Sequence, residues 1–331
     1  MTPTPQTSVP RARIPSTRHT AWTLTTCGSC ALAFVLVLSA GVRAQWPEFR
    51  ERGVRRDAKG AAVMDAPAPR TPDGKPDFSG VWMRAESGPP RAGGPPRGGG
   101  AGAAGARGNA FFRGPIEPPT ERFPYDPNGP AVANFAEAGA NIPGGLPFTP
   151  WAADLKKARS ASNSKDNPDA LCLPMGFLQF HLQPQPRLIV QTPKLLLIEY
   201  EANYGIRHVY IDGRALPPQG EPQPWWYGYS VGHWEGDTLV VETNNLRGAE
   251  DGPADGWLDV NGSPYSQQAK FTERFRRLSF GQLQIDLTVE DPKAYTRAWT
   301  VRVDQRILPD QEMIEAVCNE NQQFGRRIQL N

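Results

Sequence analysis

The chain has 331 residues, of which 39% are hydrophobic and 21% are charged, as in a soluble globular protein of one or two domains. Its 36 basic and 34 acidic residues leave a net charge of +2. The first 44 residues hold four arginines and no acid, so the remainder carries a net charge of −2. We therefore expect no nucleic-acid partner, because no basic excess is left to neutralise phosphates.

The N-terminus has the pattern of a secretory signal. Arginines precede the apolar run Ala31 to Leu38, and Val42-Arg43-Ala44 follows as a cleavage site of the A-x-A type. The alternative is an uncleaved membrane anchor, but the run is short for a bilayer span. We predict a signal peptide over 1–44, and a periplasmic or secreted protein that has no transmembrane segment after cleavage.

Two cysteines, Cys172 and Cys318, lie beyond the signal. In an exported protein they are expected to form a disulfide that ties the start of the folded region to its end. The alternative is two separate buried thiols. A closed loop of that length would contribute about 4–5 kcal/mol on the chain-entropy model.

The N-terminal half is rich in residues that interrupt regular structure. Residues 45–84 are predicted to form an extension that ends in a first strand, which begins at Phe78-Ser-Gly-Val-Trp82. Residues 85–115 form a low-complexity Pro/Gly/Ala/Arg linker that cannot bury a core, and we predict that it is disordered. The folded domain is expected over 116–331.

A single short helix is predicted in the sequence TPWAADLKKARSASN. Thr149 can cap it and Pro150 suits its first position. Helical spacing places Trp151, Leu155 and Ala158 on one face, which is expected to be the buried one.

From Arg187 onward, segments of alternating polarity are separated by short turns. The predicted strands are 187–191, 194–201, 206–211, 229–235, 238–244, 270–278, 281–290, 297–307 and 312–318. Short connections without a helical crossover make neighbouring strands antiparallel. The sequence therefore predicts a mainly β protein, an antiparallel up-and-down β-barrel with one short helix and an extended, partly disordered N-terminal region.

The clearest hairpin spans 229–244, where Gly236-Asp237 suits a two-residue turn that pairs Trp234 with Leu239. The Trp234 ring is expected to lie over the bare backbone at Gly232. Because side chains alternate along a strand, one face is the core side. That face carries Ser230, Trp234, Leu239, Val241 and Thr243.

Alternation also turns one carboxylate inward, because Glu273 lies between Phe271 and Phe275 with the same parity. A buried carboxylate must be paired or hydrogen-bonded. Two interpretations stay open. One is an ion pair with an arginine such as Arg207 or Arg302, and the other is a ligand-binding or catalytic role.

Two further patterns bear on catalysis. Ser230 lies in Gly228-Tyr-Ser-Val-Gly232, which matches the nucleophile motif G-x-S-x-G, but it continues into a hairpin instead of the strand-turn-helix that the motif requires. The histidines His181, His208 and His233 follow one another at 27 and 25 residues, which matches no metal motif. We therefore predict no metal and no cofactor, and interpret His208 as a hydrogen-bonded histidine of the barrel wall.

Aromatic residues cluster before the hairpin, where they either line the mouth of a pocket or plug the barrel end. We predict an exported barrel whose partner is a small apolar or aromatic molecule, with Glu273 among its contacts. The other predicted contacts are Trp225, Trp226, Tyr229, Trp234 and Tyr210. The alternatives are a periplasmic enzyme of hydrolase or lyase type, in which Glu273 is the acid or base and His208 or a tyrosine assists, and a structural envelope protein.

Eight motifs resemble, in the same order, those of a large family of uncharacterised secreted bacterial proteins abundant in acidobacteria and proteobacteria. They are PDFSGVW (76–82), FTPWA (148–152), CLPMG (172–176), IVQTP (189–193), VYIDGR (209–214), YSVGHWEGDTLVVET (229–243), ERFRR (273–277) and VEDPKAYTRAWT (289–300). The resemblance implies no activity. Its members often have histidine where this chain has Tyr229, Tyr265 and Lys270, so a site built on those histidines is lost or altered here. At the level of the fold alone, Gly80-Val-Trp82 is similar to the opening of lipocalin-like barrels.

Overall fold

Within the residues that this computed structural model describes, which are 49–85, 123, 126–220 and 224–318, ten β-strands form one sheet, and nine of them close into a barrel. The barrel strands are β1 (Gly80–Arg84), β3 (Arg187–Gln191), β4 (Leu195–Tyr200), β5 (Gly205–Tyr210), β6 (Tyr229–Glu235), β7 (Thr238–Asn244), β8 (Lys270–Arg277), β9 (Gln282–Glu290) and β10 (Trp299–Ile307). The short β2 (Ala131–Val132) pairs in parallel with β10. The predicted mainly β barrel is confirmed.

The barrel is antiparallel except at one seam between two of its described strands. β5 and β6 run parallel, with Val209 beside Ser230, and the chain between them is long enough to return to the same end. A ring with an odd number of strands cannot alternate direction throughout, so a nine-stranded barrel needs such a seam. The prediction of a purely up-and-down barrel is wrong at this point for that reason.

Most strand predictions agree with the structure. The hairpin pairs Trp234 with Leu239, and Ser230, Leu239, Val241 and Thr243 are all buried. The last predicted strand, 312–318, is not formed. β1 already pairs with β10 and closes the ring, so no barrel edge remains for another strand.

The helices are short. Helix α1 (Pro150–Ala161) begins as predicted, with the Thr149 hydroxyl accepting a hydrogen bond from the Ala152 N–H. Its buried face carries Ala152 and Arg159, whereas Ala158 is exposed, so the predicted face is wrong by part of a turn. Helix α2 (Gln179–Leu182) follows, and 3-10 turns span Pro168–Leu171 and Ala202–Tyr204.

The segment before and through α2 lies inside the barrel. Phe177 stacks on Phe271 of β8 at 4.1 Å, and Phe180 lies 4.8 Å from Tyr200 of β4. Leu178 has a φ of +77°, which bends the chain into the helix at some backbone cost. Gly176 is required nearby, because a Cβ there would lie 1.8 Å from the Trp257 carbonyl oxygen. The chain therefore fills much of its own barrel with α2.

The predicted disulfide is present between Cys172 and Cys318, with an S–S distance of 2.05 Å. The predicted signal peptide lies outside the described residues, as does the predicted linker except for Ala85, which is buried beside β10. No helix in the described ranges is long and apolar enough to cross a membrane.

Candidate functional site

A buried ion pair lies at the centre of the barrel. Glu273 points inward from β8 as predicted and is fully buried. The Arg207 guanidinium from β5 donates to both of its carboxylate oxygens, through Nη1 to Oε1 at 3.1 Å and through Nη2 to Oε2. The expected arginine partner is thus confirmed as Arg207. Arg302 bonds instead to Asp286.

Two hydroxyl groups complete the surroundings of Arg207. Ser230 Oγ accepts from Nε at 3.2 Å and from Nη2 at 3.1 Å, and Thr243 Oγ1 accepts from Nη2 at 3.0 Å. Ser230 and Thr243 also share a hydrogen bond of 2.8 Å. Ser230 therefore holds a guanidinium in the middle of a strand, and lacks the exposed turn from which a serine nucleophile attacks.

His181 of α2 is the third member of this cluster, and no pattern in the sequence pointed to it. Its Nε2 lies 2.7 Å from Glu273 Oε1, and its ring is almost fully buried. A histidine among apolar neighbours on a four-residue helix has no spacing that identifies a partner 92 residues away. Only the insertion of α2 into the barrel brings it to Glu273.

The protonation states of this pair follow from burial and charge. Burial alone would raise the pKa of Glu273, but Arg207 and His181 oppose it and hold the pKa at about 2. Burial lowers the pKa of His181 to about 4, against the pull of Glu273. The ring is therefore neutral at pH 7 and the carboxylate ionised. Because an ionised carboxylate only accepts, His181 carries its proton on Nε2 and presents a lone pair on Nδ1.

Three polar atoms around the Phe180 ring have no hydrogen-bond partner among the described residues: His181 Nδ1 and the hydroxyls of Tyr200 and Tyr227. The Phe180 ring centroid lies 4.5, 4.8 and 5.6 Å from the rings of His181, Tyr200 and Tyr227 respectively. Burial raises the pKa of both tyrosines, so they stay neutral donors. The positive charge of Arg207 opposes that rise at Tyr200, although the Tyr200 hydroxyl forms no hydrogen bond within the described structure. Grouped buried polar atoms without partners call for a water or a ligand.

Several of the other predicted site residues lie on the outside of the barrel wall. Strand alternation places His208 and Tyr210 on the face of β5 opposite to Arg207, and His208 is exposed. Tyr229 lies 5.4 Å from Tyr210 and 5.1 Å from the exposed Trp225, measured between ring centroids. These residues form an outer aromatic row that is separated from Glu273 by the sheet.

One arginine, Arg214, contacts two members of the outer aromatic row. Arg214 lies 3.8 Å over the Tyr210 ring, donates to the Tyr229 hydroxyl at 3.0 Å and pairs with Asp212. Tyr210, Tyr229 and Trp225 lie against one another, and Arg214 covers one face of Tyr210.

The two remaining predicted contacts are also apart from Glu273. Trp226 lies under Arg247, 4.6 Å from the guanidinium to the ring centroid. Trp234 has the expected inward parity and stacks on Phe78 at 5.7 Å. Its ring is not what covers Gly232, since a Cβ at that glycine would meet Ile211 at 2.9 Å. Among the candidates, only Ser230 lies in the cluster around Glu273, where both bond to Arg207.

In the part of the chain that the structure describes, no three His, Cys, Asp or Glu residues are grouped as a metal ion requires. No family model, no curated protein and no solved structure matches this chain. The function of the protein is therefore inferred from the barrel and from the cluster of Glu273, Arg207 and His181 inside it.

Proposed function

We propose that this protein binds a small, largely apolar or aromatic molecule inside the barrel, against Phe180. The observation that carries the proposal is the group of unpaired polar atoms around that ring, His181 Nδ1 and the hydroxyls of Tyr200 and Tyr227. Leaving a buried polar group unpaired costs about 1–3 kcal/mol, so three such groups favour an occupant that bonds to them.

Binding is favoured over acid–base catalysis by Glu273. Both oxygens of its carboxylate are held by Arg207 and His181, and its pKa of about 2 keeps it ionised. An acid or base needs a pKa near the working pH and a free oxygen. In our proposal Glu273 positions His181, and the lone pair on Nδ1 accepts a hydrogen bond from the ligand.

We further propose that the protein is exported and that it belongs with the secreted bacterial proteins whose motifs it resembles. The Cys172–Cys318 disulfide supports an oxidising compartment. Mass spectrometry of protein purified from the periplasm should give an N-terminus at Gln45 and no free thiol. An intact N-terminus, or two free thiols, would reject export in this form.

The binding proposal is tested by mass spectrometry of small molecules that are released when the purified protein is denatured. Tyr227→Phe removes one hydroxyl and keeps the ring, and we expect it to lower retention of the ligand about 2–10-fold. The matched control is Tyr210→Phe on the outer aromatic row, which should retain the wild-type amount. If wild-type protein releases nothing and Tyr227→Phe is unchanged in stability, the unpaired atoms are satisfied by water and the proposal fails.

A further inference from the structure

A second arginine in the barrel, Arg187, has no acidic partner among the residues that the structure describes. Arg187 points inward from β3 and is 1% exposed. Its Nη atoms donate to the carbonyl oxygens of His181, Gln183 and Gln185, at 3.0, 3.1 and 3.3 Å. Its Nε has no hydrogen-bond partner among the described residues. One donor of a buried guanidinium is therefore left without an acceptor.

The charges inside the barrel do not balance within the described part of the chain. Arg187 and Arg207 are cations, and Glu273 is the carboxylate that pairs with Arg207. His181 and the buried tyrosines are neutral, as argued above. One positive charge remains, and it lies at Arg187, because Arg207 is the arginine that Glu273 neutralises. A buried charge without a counter-charge is strongly unfavourable.

The surroundings of Arg187 do not relieve this charge. Burial lowers its pKa to about 10, so it stays protonated at pH 7. After burial, the groups with the largest effect on its pKa are the neutral Tyr200, which raises it, and a second cation, Arg84, which lowers it. The aromatic rings of Trp82 and Tyr200 belong to its register partners on β1 and β4.

Another buried arginine, Arg159, provides a comparison within this protein. Arg159 of α1 also donates to three backbone carbonyls, those of Asp255, Gly256 and Gly262. Its guanidinium lies 4.2 Å over the Trp257 ring. Burial lowers its pKa to about 10, and Tyr265, Tyr295 and the carboxylates of Asp259 and Asp166 oppose that fall. No atom of Arg159 is both fully buried and without a hydrogen-bond partner in the described structure. Arg187 has the carbonyls, but no carboxylate among the described residues acts on its charge.

We infer that the molecule bound in the barrel is an anion, a carboxylate whose largely apolar body carries one hydroxyl or N–H donor for His181 Nδ1, and that its acidic group binds Arg187 at Nε. This inference rests on the proposed binding function and specifies its ligand class. An acceptor at Nε completes the hydrogen bonding of Arg187, and the carboxylate neutralises the remaining charge. The rings of Trp82 and Tyr200 contact the apolar body.

The test compares three probes with one tail and different heads: decanoate, decanol and decylamine. Calorimetric titration of the wild-type protein should show decanoate binding about 10–100-fold more tightly than decanol, with decylamine weakest, because a charge-assisted hydrogen bond is gained. Arg187→Gln should remove the preference for the acid. Arg187→Lys keeps the charge, should retain part of the preference, and serves if the glutamine variant does not fold.

Each outcome bears on either the anionic ligand or the binding function. Equal binding of decanoate and decanol, or a neutral molecule released from the purified protein, would overturn the anionic ligand and leave the binding function in place. If chloride stabilises the wild-type protein as much as decanoate does, the site takes an inorganic ion and the inference is wrong. If no probe binds and nothing is released on denaturation, the binding function itself fails.

Discussion

The barrel wall carries two trios of the same composition, one on each face. Inside, Glu273 contacts Arg207 and His181, and all three side chains are at most 1% exposed. Outside, Glu235 contacts Arg274 and His233, with side chains that are 44–56% exposed. The two trios therefore consist of the same residue types in similar contacts and differ in how deeply they are buried.

The difference in solvent gives the two trios different roles. Water screens the outer charges, and an exposed ion pair contributes little to stability. The inner charges have only one another and the hydroxyls of Ser230 and Thr243, so removal of one leaves the others uncompensated. Each prediction below changes an inner residue and uses its outer counterpart as the control.

The largest expected effect is that of Glu273→Gln. The free energy of unfolding should fall by about 3–5 kcal/mol, because Arg207 would be left as a buried charge without its partner. Urea denaturation at pH 7 measures the change. The control, Glu235→Gln, should keep a midpoint close to that of the wild type. Equal effects of the two variants would mean that the inner pair is hydrated.

The second prediction concerns pH and His181. Its folded-state pKa of about 4 lies below the ordinary 6.5, so the unfolded chain takes up the proton first as the pH falls. Its stabilising contribution is fully present above about pH 6.5 and is lost as the pH falls towards 4. The ring faces Glu273 of β8, Arg207 of β5, Arg187 of β3 and Tyr200 of β4, whose charge states do not change between pH 7 and 5.

Denaturation at pH 7 and at pH 5 measures this contribution. The wild type should lose about 2 kcal/mol more than His181→Gln over this interval. His233→Gln, on the outer trio, should lose as much as the wild type. A separate loss below about pH 4.5 should follow from Glu273, whose pKa is depressed to about 2 in the folded protein. Equal pH dependence of wild type and His181→Gln would show that His181 is open to solvent.

A smaller effect is expected from Ser230→Ala. The variant removes one acceptor from Arg207, while Thr243 and Glu273 remain, so the cost should be about 1–2 kcal/mol. Tyr229→Phe is the outer control, since it removes a single exposed bond to Arg214 and should leave the denaturation midpoint near that of the wild type. A neutral Ser230→Ala would show that water replaces the hydroxyl inside the barrel.

The smallest effect is a difference in salt dependence. Addition of 1 M salt shortens the Debye length to about 3 Å and should abolish any loss in the free energy of unfolding that Glu235→Gln causes. The cost of Glu273→Gln should persist, because ions do not enter the barrel to screen it. Loss of both differences in salt would contradict the burial of the inner trio.

The sequence by itself determined the strands and their inner faces. Alternation needs only local information, which is why the hairpin register, the inward parity of Glu273 and the start of α1 at Pro150 are all as predicted. Two cysteines beyond a predicted signal peptide likewise predicted the disulfide. The barrel closure followed from many short antiparallel strands.

Only the tertiary structure decided what fills that barrel. His181 meets Glu273 because α2 enters the interior, and no local pattern specifies where a four-residue helix docks. The parallel seam at β5 and β6 puts Arg207 beside Ser230, and it arises from the odd strand number of the closed ring. Arg159 is buried for a similar reason. The backbone carbonyls that accept its hydrogen bonds, those of Gly256 and Gly262, lie about 100 residues away in the sequence. They surround the guanidinium only after that segment has folded. Periodicity reports which face is apolar, whereas a polar side chain is buried wherever distant parts of the chain supply its partners.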